Sequence, residues 1–573
     1  MIDINTLSKV AGSLNIASLQ QAAADIKNKI IQTTNINGGH YGSPLSITDI
    51  VVAMAHVFDF ERDKIVFDTG HQCYPYKIIT NRANQFNNIR KLGGISGFPD
   101  IAESDYDHFG TGHSATSVGA IYGMLLAGSS GNHIACIGDS AITGGLFFEA
   151  LNMISVLNKK SIIVINDNDM SIAPSVGSLK FQLKNLVNQY AGQKAQLQTD
   201  NNVFNSFGCL YYGVCNGHSM ADIVAVLQEV KSLQTNKTIV VHFRTHKDDH
   251  AVKGTQVGVS DGISKQATGD IMQAEMDNIL SADSSAIVVS PAMLNGSGLK
   301  NLQQKFTDRV IDVAIAEQLA VTCCAGAAKS GANAFCVLYS TFAQRAYDQI
   351  IHDVAVQNLP VKFLIDRAGF VGADGKTHQG LYDISMFANV HNMTVLAPAD
   401  ALEMRAMLHF VAQWDGPICM RFPKAIAVGD ESAKFNPIKY GKFNIVNYGQ
   451  KVCLLSFGHI LPYVQKASLM LQKHGINATV INARFAKPFD TDGLKDILQN
   501  HSYLFTFELG AKGGFEAIVN REINKLDNKN CSVNSYYIDK DYDHGTELQQ
   551  MEMSALNAGG LYQKMCNKLN IQL

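Results

Sequence analysis

Gly138-Asp139-Ser140 stands where an apolar run, residues 134–139, ends and a small-residue turn leads into a helical pattern over residues 145–157. About thirty residues on, Asn166-Asp167-Asn168 follows the next apolar run, residues 161–166. In open parallel sheets ligands bind at this carboxyl end of the strands. One carboxylate, Asp139, and one amide oxygen, Asn168, at two strand ends of one sheet can share a hard cation. Mg²⁺ favours six oxygens and accepts few protein ligands where phosphates supply the rest. Gly144 and Gly145 leave room for a diphosphate beside a helix N-terminus, which favours anions. An Asp N-cap plus an Asn-rich turn would give the same letters with no chemistry attached.

The spacing resembles the thiamine diphosphate fingerprint, and that cofactor makes a second demand. It needs a Glu that hydrogen-bonds the aminopyrimidine ring, so that a ring nitrogen can take the thiazolium proton. Ile315-Ala316-Glu317-Gln318 opens a helix after the apolar run 310–313. A carboxylate there, in apolar company, can share a proton with a ring nitrogen. Phe342, in Ser340-Thr341-Phe342, can stack on the pyrimidine. Taken singly, Glu317 reads as a first-turn acid facing the helix dipole and Phe342 as an ordinary core aromatic.

These residues need elements to hold them. Runs 134–139 and 161–166 read as strands, with a helix at 145–157 between them. Later, runs 286–290, 310–313, 335–339 and 361–365 read as strands, with helices at 317–329 and 342–356. Near the end, 452–457, 478–482 and 503–507 repeat the pattern. Strands that are apolar on both faces and alternate with helices imply mainly parallel sheets covered on both sides, an α/β architecture. Polar stretches at 246–262 and 428–442 suggest three domains, about 1–262, 263–430 and 431–573.

The 573 residues are 46% hydrophobic and 17% charged, which excludes a disordered or coiled-coil composition. Forty-seven Lys and Arg against fifty Asp and Glu give a net charge of −3, with no basic surplus for nucleic acid. Mean hydropathy is +0.01, and no apolar run reaches the roughly 18 residues of a membrane span. The first residues show no secretory pattern. Eleven scattered cysteines, none in Cys-x-x-Cys spacing, read as buried thiols in a reducing cytoplasm.

Longer blocks now carry a resemblance. They are Gly38-Gly39-His40, residues 67–75 (Phe-Asp-Thr-Gly-His-Gln-Cys-Tyr-Pro), Gly112-His113-Ser114-Ala115-Thr116-Ser117, 138–143, 166–172, 315–318, 339–348, 366–380 and Ala483-Arg484-Phe485-Ala486-Lys487-Pro488. In this order they resemble the 1-deoxy-D-xylulose-5-phosphate synthases of the transketolase superfamily. The Asp-Gly-x-Thr-His-Gln core at 374–379 is shared with transketolases, whereas the Asp366-Arg367-Ala368-Gly369 opening resembles the synthases.

The resemblance implies a thiamine diphosphate-binding, transketolase-like fold with a diphosphate/Mg²⁺ domain, a pyrimidine domain and a C-terminal domain. It implies a homodimer with the cofactor between the first two domains of one chain. It implies loss of CO₂ from pyruvate and transfer of the two-carbon remainder to glyceraldehyde 3-phosphate, for early isoprenoid and thiamine supply. By the same resemblance Asp139, Asn168 and the Met170 carbonyl are metal ligands and Glu317 is the activating acid. His71, Gly112, His113, Ser114, Gly138, Ser140, Ala141 and Phe342 surround the cofactor. His40, Asp374 and His378 are catalytic, a histidine being suited to protonate the alkoxide that condensation creates. Tyr339, Arg367, Lys424 and His250 hold substrate, Arg367 offering phosphate a planar fork; alone, it reads as an ion pair with Asp366 or Asp348.

The chain also departs from the pattern. Ser140 replaces a glycine, Leu319 a histidine and Lys424 an arginine, which keeps charge but loses the fork. Residues 173–202, in the family a cover over the site, are shortened. These departures keep two further readings open: a transketolase or other acyloin-forming enzyme, and a non-catalytic homologue.

Overall fold

In a computed structural model of the chain, the structure describes residues 3–169, 176–190, 196–198, 201–246, 259–260, 262–429, 437–526 and 531–571. It divides into two compact units. One is Met1–Thr255 with Ala314–Ala316, the other Gln256–Val313 with Glu317–Leu573.

The first unit is built on a six-stranded sheet. Its order is Lys64–Phe67, His133–Gly138, Ser161–Asp167, Thr238–Arg244, Leu210–Asn216 and Gln196–Gln198, parallel except for the last strand. Every residue of Ser161–Asp167 is buried, as a central strand covered on both faces requires. The helix Gly145–Ile154 buries Phe147, Ala150, Leu151 and Ile154, the spacing of one helical face.

The second unit holds three sheets. The largest runs Val310–Asp312, Ala286–Ser290, Asn333–Tyr339, Lys362–Asp366, Ile418–Arg421, Thr394–Leu396 and Phe485–Lys487, again with only the last strand antiparallel. A five-stranded sheet orders Asn444–Asn447, Thr479–Asn482, Lys451–Phe457, His501–Ala511 and Ser532–Ile538. One apolar cluster takes Phe363 and Ile365 from the first of these sheets and Leu455 and Phe457 from the second, so the two share a core. A small antiparallel sheet pairs Ala425–Ala427 with Ile263–Ala267, and that strand with Val259–Ser260.

The α/β architecture expected from the alternating runs is therefore present, with strand ends shifted by a few residues. One element differs. Instead of a single helix over 342–356, the chain makes Ser340–Ala343, a 3₁₀ turn Gln344–Ala346, Tyr347–Gln349 and a wide-pitch turn Ile350–Ala355. Ala343, Ala346, Ile350 and Val354 all remain fully buried. A helical spacing reports which face is buried, not the pitch, and pitch changes of this kind collect at functional positions. All eleven cysteines are free; nine are buried, Cys531 is half-buried and Cys323 is exposed.

Candidate active site

In the first unit, Gly138 pairs with Asn166, and Asp139 N–H donates to the Asn166 carbonyl at 3.3 Å. Asp139 and Asn168 thus leave adjacent strands at the same end of the sheet, both buried. The intervening carboxylate is already committed. Asp167 accepts from His242 Nε2 at 2.9 Å, Arg244 Nη1 at 2.9 Å and Asp169 N–H at 3.1 Å. Burial alone would raise its pKa, but His242 and then Arg244 hold it below the usual carboxylate range. His242 Nδ1 in turn accepts from Tyr211 Oη at 2.7 Å, which fixes the proton on Nε2.

Asn166 is equally committed. Its amide donates to Ser46 Oγ and Gln72 Oε1, and its oxygen accepts from Thr245 Oγ1. Asn168 Nδ2 also faces Ser46 Oγ, at 3.5 Å, so its oxygen points the other way. One carboxylate and one amide oxygen are too few for a protein-only metal cage. Among the described residues no cluster of three His, Cys, Asp or Glu side chains makes one either. Met170 lies outside the described residues.

The turn after Asp139 is tight on one side and open on the other. Ser140 precedes the 3₁₀ turn Ala141–Thr143. A Cβ at Gly144 would stand 2.8 Å from Ala115 Cβ, whereas a Cβ at Gly138 or Gly145 would meet nothing within 4 Å. Ala115 belongs to the segment carrying Gly112, His113 and Ser114. Asp68 anchors that segment, accepting from Ala115 N–H at 2.7 Å and Ser117 N–H at 3.0 Å. The rings of His40 and His71 lie 5.2 Å apart, with Phe98 5.5 Å from His40. Gln72, next to His71, bonds to Asn166, so this unit gathers most of its expected residues about one sheet edge.

In the second unit, Tyr339 pairs with Asp366 at the carboxyl edge of the large sheet. Tyr339 stacks on Phe342 at 5.6 Å, the Arg367 guanidinium lies 4.7 Å from the Tyr339 ring, and His378 meets Phe342 edge-on at 5.6 Å. Asp374 sits close enough for its charge to act on both Tyr339 and Arg367. Gly296 is required here, because a Cβ would overlap the Tyr339 hydroxyl. Arg367 spends Nη1 on Asp366 at 2.9 Å and Nη2 on the Gly296 carbonyl at 2.9 Å. The ion pair with Asp366 that its sequence allowed is therefore formed. Lys424 is exposed, and its carbonyl accepts from Thr268 Oγ1 at 3.0 Å and Thr268 N–H at 3.2 Å. His250 lies outside the described residues.

Glu317 opens the helix Glu317–Lys329 and is 3% exposed. Its Oε2 has no hydrogen-bond partner among the described residues, and Arg345 Nη1 is 3.8 Å away. Burial pushes the carboxyl above its usual range, and Arg345 only partly opposes this. Leaving a charged acceptor buried and unpaired costs about 1–3 kcal/mol or more, and natural proteins keep such groups where a ligand completes them.

Three neighbours escaped the sequence reading: Asp68, His242 and Arg345. Asp68 and Arg345 lie inside quoted blocks, but their roles depend on contacts that spacing does not encode. His242 sits mid-strand in an apolar run and gives no local sign of its bond to Asp167.

Comparison with known proteins follows the same division. A family profile for 1-deoxy-D-xylulose-5-phosphate synthase matches residues 3–200. Profiles for the transketolase pyrimidine-binding and C-terminal domains match residues 264–427 and 441–560. The chain is 38% identical to the 1-deoxy-D-xylulose-5-phosphate synthase of Rhodobacter capsulatus over 88% of its length and 87% of that protein. It is 35% identical to 1-deoxy-D-xylulose-5-phosphate synthase 2 of Jannaschia sp. (strain CCS1), over 97% of its length and 96% of that protein. A crystal structure of Campylobacter jejuni transketolase is 16% identical, with a TM-score of 0.47 over 97% of this chain and all of that one, too low a score to bear on the fold. With two relatives above a third identity along almost the whole length, and its own profile over the front of the chain, this protein belongs to the 1-deoxy-D-xylulose-5-phosphate synthase family.

Proposed function

We propose that the protein condenses pyruvate with D-glyceraldehyde 3-phosphate, releasing CO₂ and forming 1-deoxy-D-xylulose 5-phosphate. The family is thiamine diphosphate-dependent and uses a divalent metal. The observation that carries the reading is the buried Glu317 carboxylate with an unspent oxygen. The residues present fit the cofactor. Asp139 and the Asn168 amide would supply two hard oxygens, and the open space at Gly138 and Gly145 admits a diphosphate. When bound, thiamine diphosphate supplies the electron sink that lets a 2-oxo acid lose CO₂ and its remainder add to an aldehyde.

The chain's own groups then have definable work. With the cofactor bound, Glu317 would share a proton with the aminopyrimidine ring, for which its raised pKa suits it. Phe342 offers a face for stacking. His40, and in the second unit His378 and Asp374, are the groups proposed to exchange protons with substrate oxygens, and His71 is proposed to lie against the cofactor. Arg367 and Lys424 attract the acceptor phosphate, Arg367 from a position fixed by Asp366 and Lys424 from an exposed one. Ser140 retains a small side chain at the diphosphate turn.

The three domains lie at about 1–262, 263–430 and 431–573, a division supported by gaps between the matched profiles. The working form is a homodimer. Leu126, Leu146, Met153 and Val156 in the first unit, and Leu319 and Val356 in the second, are exposed apolar side chains available to such an interface. Among the described residues no helix is long and apolar enough to cross a membrane. The free cysteines support a reducing, cytoplasmic setting.

The test mixes purified protein with thiamine diphosphate, Mg²⁺, pyruvate and glyceraldehyde 3-phosphate. CO₂ release matched one-to-one by deoxyketose phosphate supports the reading. Turnover with xylulose 5-phosphate and ribose 5-phosphate but not with pyruvate would instead establish a transketolase, a reading favoured only by the Asp-Gly-x-Thr-His-Gln core and Lys424.

A further inference from the structure

The loop that carries Asp374 and His378 is closed at its base by paired backbone bonds between Gly369 and Gly380, at 2.7 and 2.9 Å. Its tip is braced from elsewhere in the same unit. His544 Nδ1 lies 2.8 Å from the Ala373 carbonyl, and since a carbonyl only accepts, that nitrogen carries the proton. The imidazole fills the hollow left by Gly375. That residue has φ of 74°, and a Cβ there would stand 2.6 Å from His544 Nδ1 and 2.7 Å from Nε2. Gln550 donates to the Gly372 carbonyl at 3.1 Å and accepts from Gly372 N–H at 2.9 Å. Gln379 donates to the Tyr542 carbonyl at 2.5 Å, and the Tyr542 ring meets Phe370 edge-on at 5.5 Å.

The bracing segment is itself stiff. Thr546 and Gln549 form a capping box at the start of the helix Glu547–Met553. Glu547 pairs with Lys265 at 2.7 Å, and Gln550 Nε2 also donates to the Asp543 carbonyl at 2.9 Å. The contacts are to backbone atoms and to a glycine hollow, so they specify where the loop lies rather than what it carries. From the loop, Thr377 reaches the site directly. Its carbonyl accepts from Thr341, beside Phe342, and its hydroxyl bonds His378 Nδ1 at 2.9 Å.

We infer that residues 542–550 fix the catalytic geometry from a distance, His544 and Gln550 being positioning residues for Asp374 and His378. The inference rests on the function proposed above for those two residues. A misplacement of about 1 Å at a reacting group can cost 10²-fold, and losing an outer hydrogen bond typically costs 10–100-fold.

The experiment uses the full-length, cofactor-loaded protein. In His544→Ala, hydrogen–deuterium exchange in peptides covering 372–380 should quicken by about tenfold or more. The kcat/KM should fall by about 10–100-fold, while thiamine diphosphate affinity by calorimetry stays within about twofold. His544→Asn places an amide N–H near the former Nδ1 and should restore most of the loss; His544→Gln, which reaches too far, should not. Should His544→Ala not fold, Gln550→Glu keeps the acceptor for Gly372 N–H and removes the donor, and should show a smaller rise in the same peptides. Exchange at the wild-type rate in these variants, or equal rescue by Asn and Gln, would overturn the inference. Quickened exchange in a protein that leaves pyruvate untouched would uphold the brace and reject the functional reading instead.

Discussion

Two buried glutamates of the second unit make opposite forecasts for the same substitution. Glu317 and Glu403 are 3% and 4% exposed, and burial raises the pKa of both. Glu403 spends its oxygens inside the protein. It accepts from Arg484 Nε at 2.6 Å, from Asn482 Nδ2 at 2.8 and 3.1 Å, and from Ala399 N–H at 2.8 Å. Glu317 has Arg345 at 3.8 Å and an oxygen with no hydrogen bond. Glu403→Gln therefore leaves the buried Arg484 charge uncompensated and should cost about 3–5 kcal/mol of stability. Glu317→Gln keeps the shape, removes a buried charge whose ionic partner Arg345 stands 3.8 Å away, and should leave the melting temperature unchanged or raise it.

Activity should separate them in the reverse direction. A general acid–base group contributes about 10²–10⁴-fold, so Glu317→Gln should lower kcat by that factor, or about 3–5 kcal/mol of barrier. Glu403→Gln, assayed well below its melting temperature, should keep kcat within about threefold. The assays are thermal unfolding without substrate and CO₂ release from pyruvate with glyceraldehyde 3-phosphate. If Glu317→Gln destabilises as much as Glu403→Gln, its carboxylate is a structural group. If it keeps kcat within about tenfold, the proton-sharing role is refuted whatever its stability.

Other substitutions probe separate parts of the site. Asn168→Leu keeps the branched shape but removes the amide, including its 3.5 Å contact to Ser46, so Mg²⁺-dependent thiamine diphosphate affinity should fall about 10–100-fold by calorimetry; unchanged affinity would remove Asn168 from the metal. Lys424→Arg should lower KM for glyceraldehyde 3-phosphate several-fold at constant kcat, since a fork replaces a point charge, and no change would show that Lys424 does not meet the phosphate. Glu508 is fully buried and its pKa is raised from 4.5 to about 7, by burial against the opposing N–H groups of Glu516 and Phe515 and the charge of Arg421. Its folded value lies above the unfolded one, so its contribution to stability is complete below pH 4.5 and is lost as pH rises to about 7. At 1.36 kcal/mol per unit that is about 3 kcal/mol, which Glu508→Gln should abolish. A stability difference between the two proteins that stays flat from pH 5 to pH 7.5 in denaturant titrations would contradict it.

What the sequence disclosed and what it withheld divide along contact range. Asp139 and Asn168 were legible because each closes an apolar run, and two such runs flanking a helix must lie parallel in one sheet. The register, Gly138 against Asn166, then follows from the fold itself. Glu317 was named as the activating acid from the resemblance, but nothing local in the sequence set it apart from other helix-start glutamates. Only the packed structure shows an unspent oxygen there and fully spent ones on Glu403, although both are helix-start glutamates in sequence. Arg367 shows the converse, since the ion pair with Asp366 and a place beside Tyr339 are both realised, and neither excludes the other.

The brace from 542–550 was beyond reach for a stronger reason. His544 and Gly375 are 169 positions apart, and neither residue is unusual locally. A glycine in a loop predicts a turn, and a histidine before a glycine predicts nothing. Their meaning is joint: the imidazole occupies the volume that a Cβ would need, and the glycine has the positive φ that the loop requires. A sequence pattern reports what each residue does for its own element. Where one element is shaped by another, only the missing atoms on one side and the filling atoms on the other reveal it. The same logic separates Asp139 from Asp167, for both are strand-end carboxylates. His242 and Arg244, about 75 residues further on, tie Asp167 into the fold, a commitment that the letters around either aspartate do not encode.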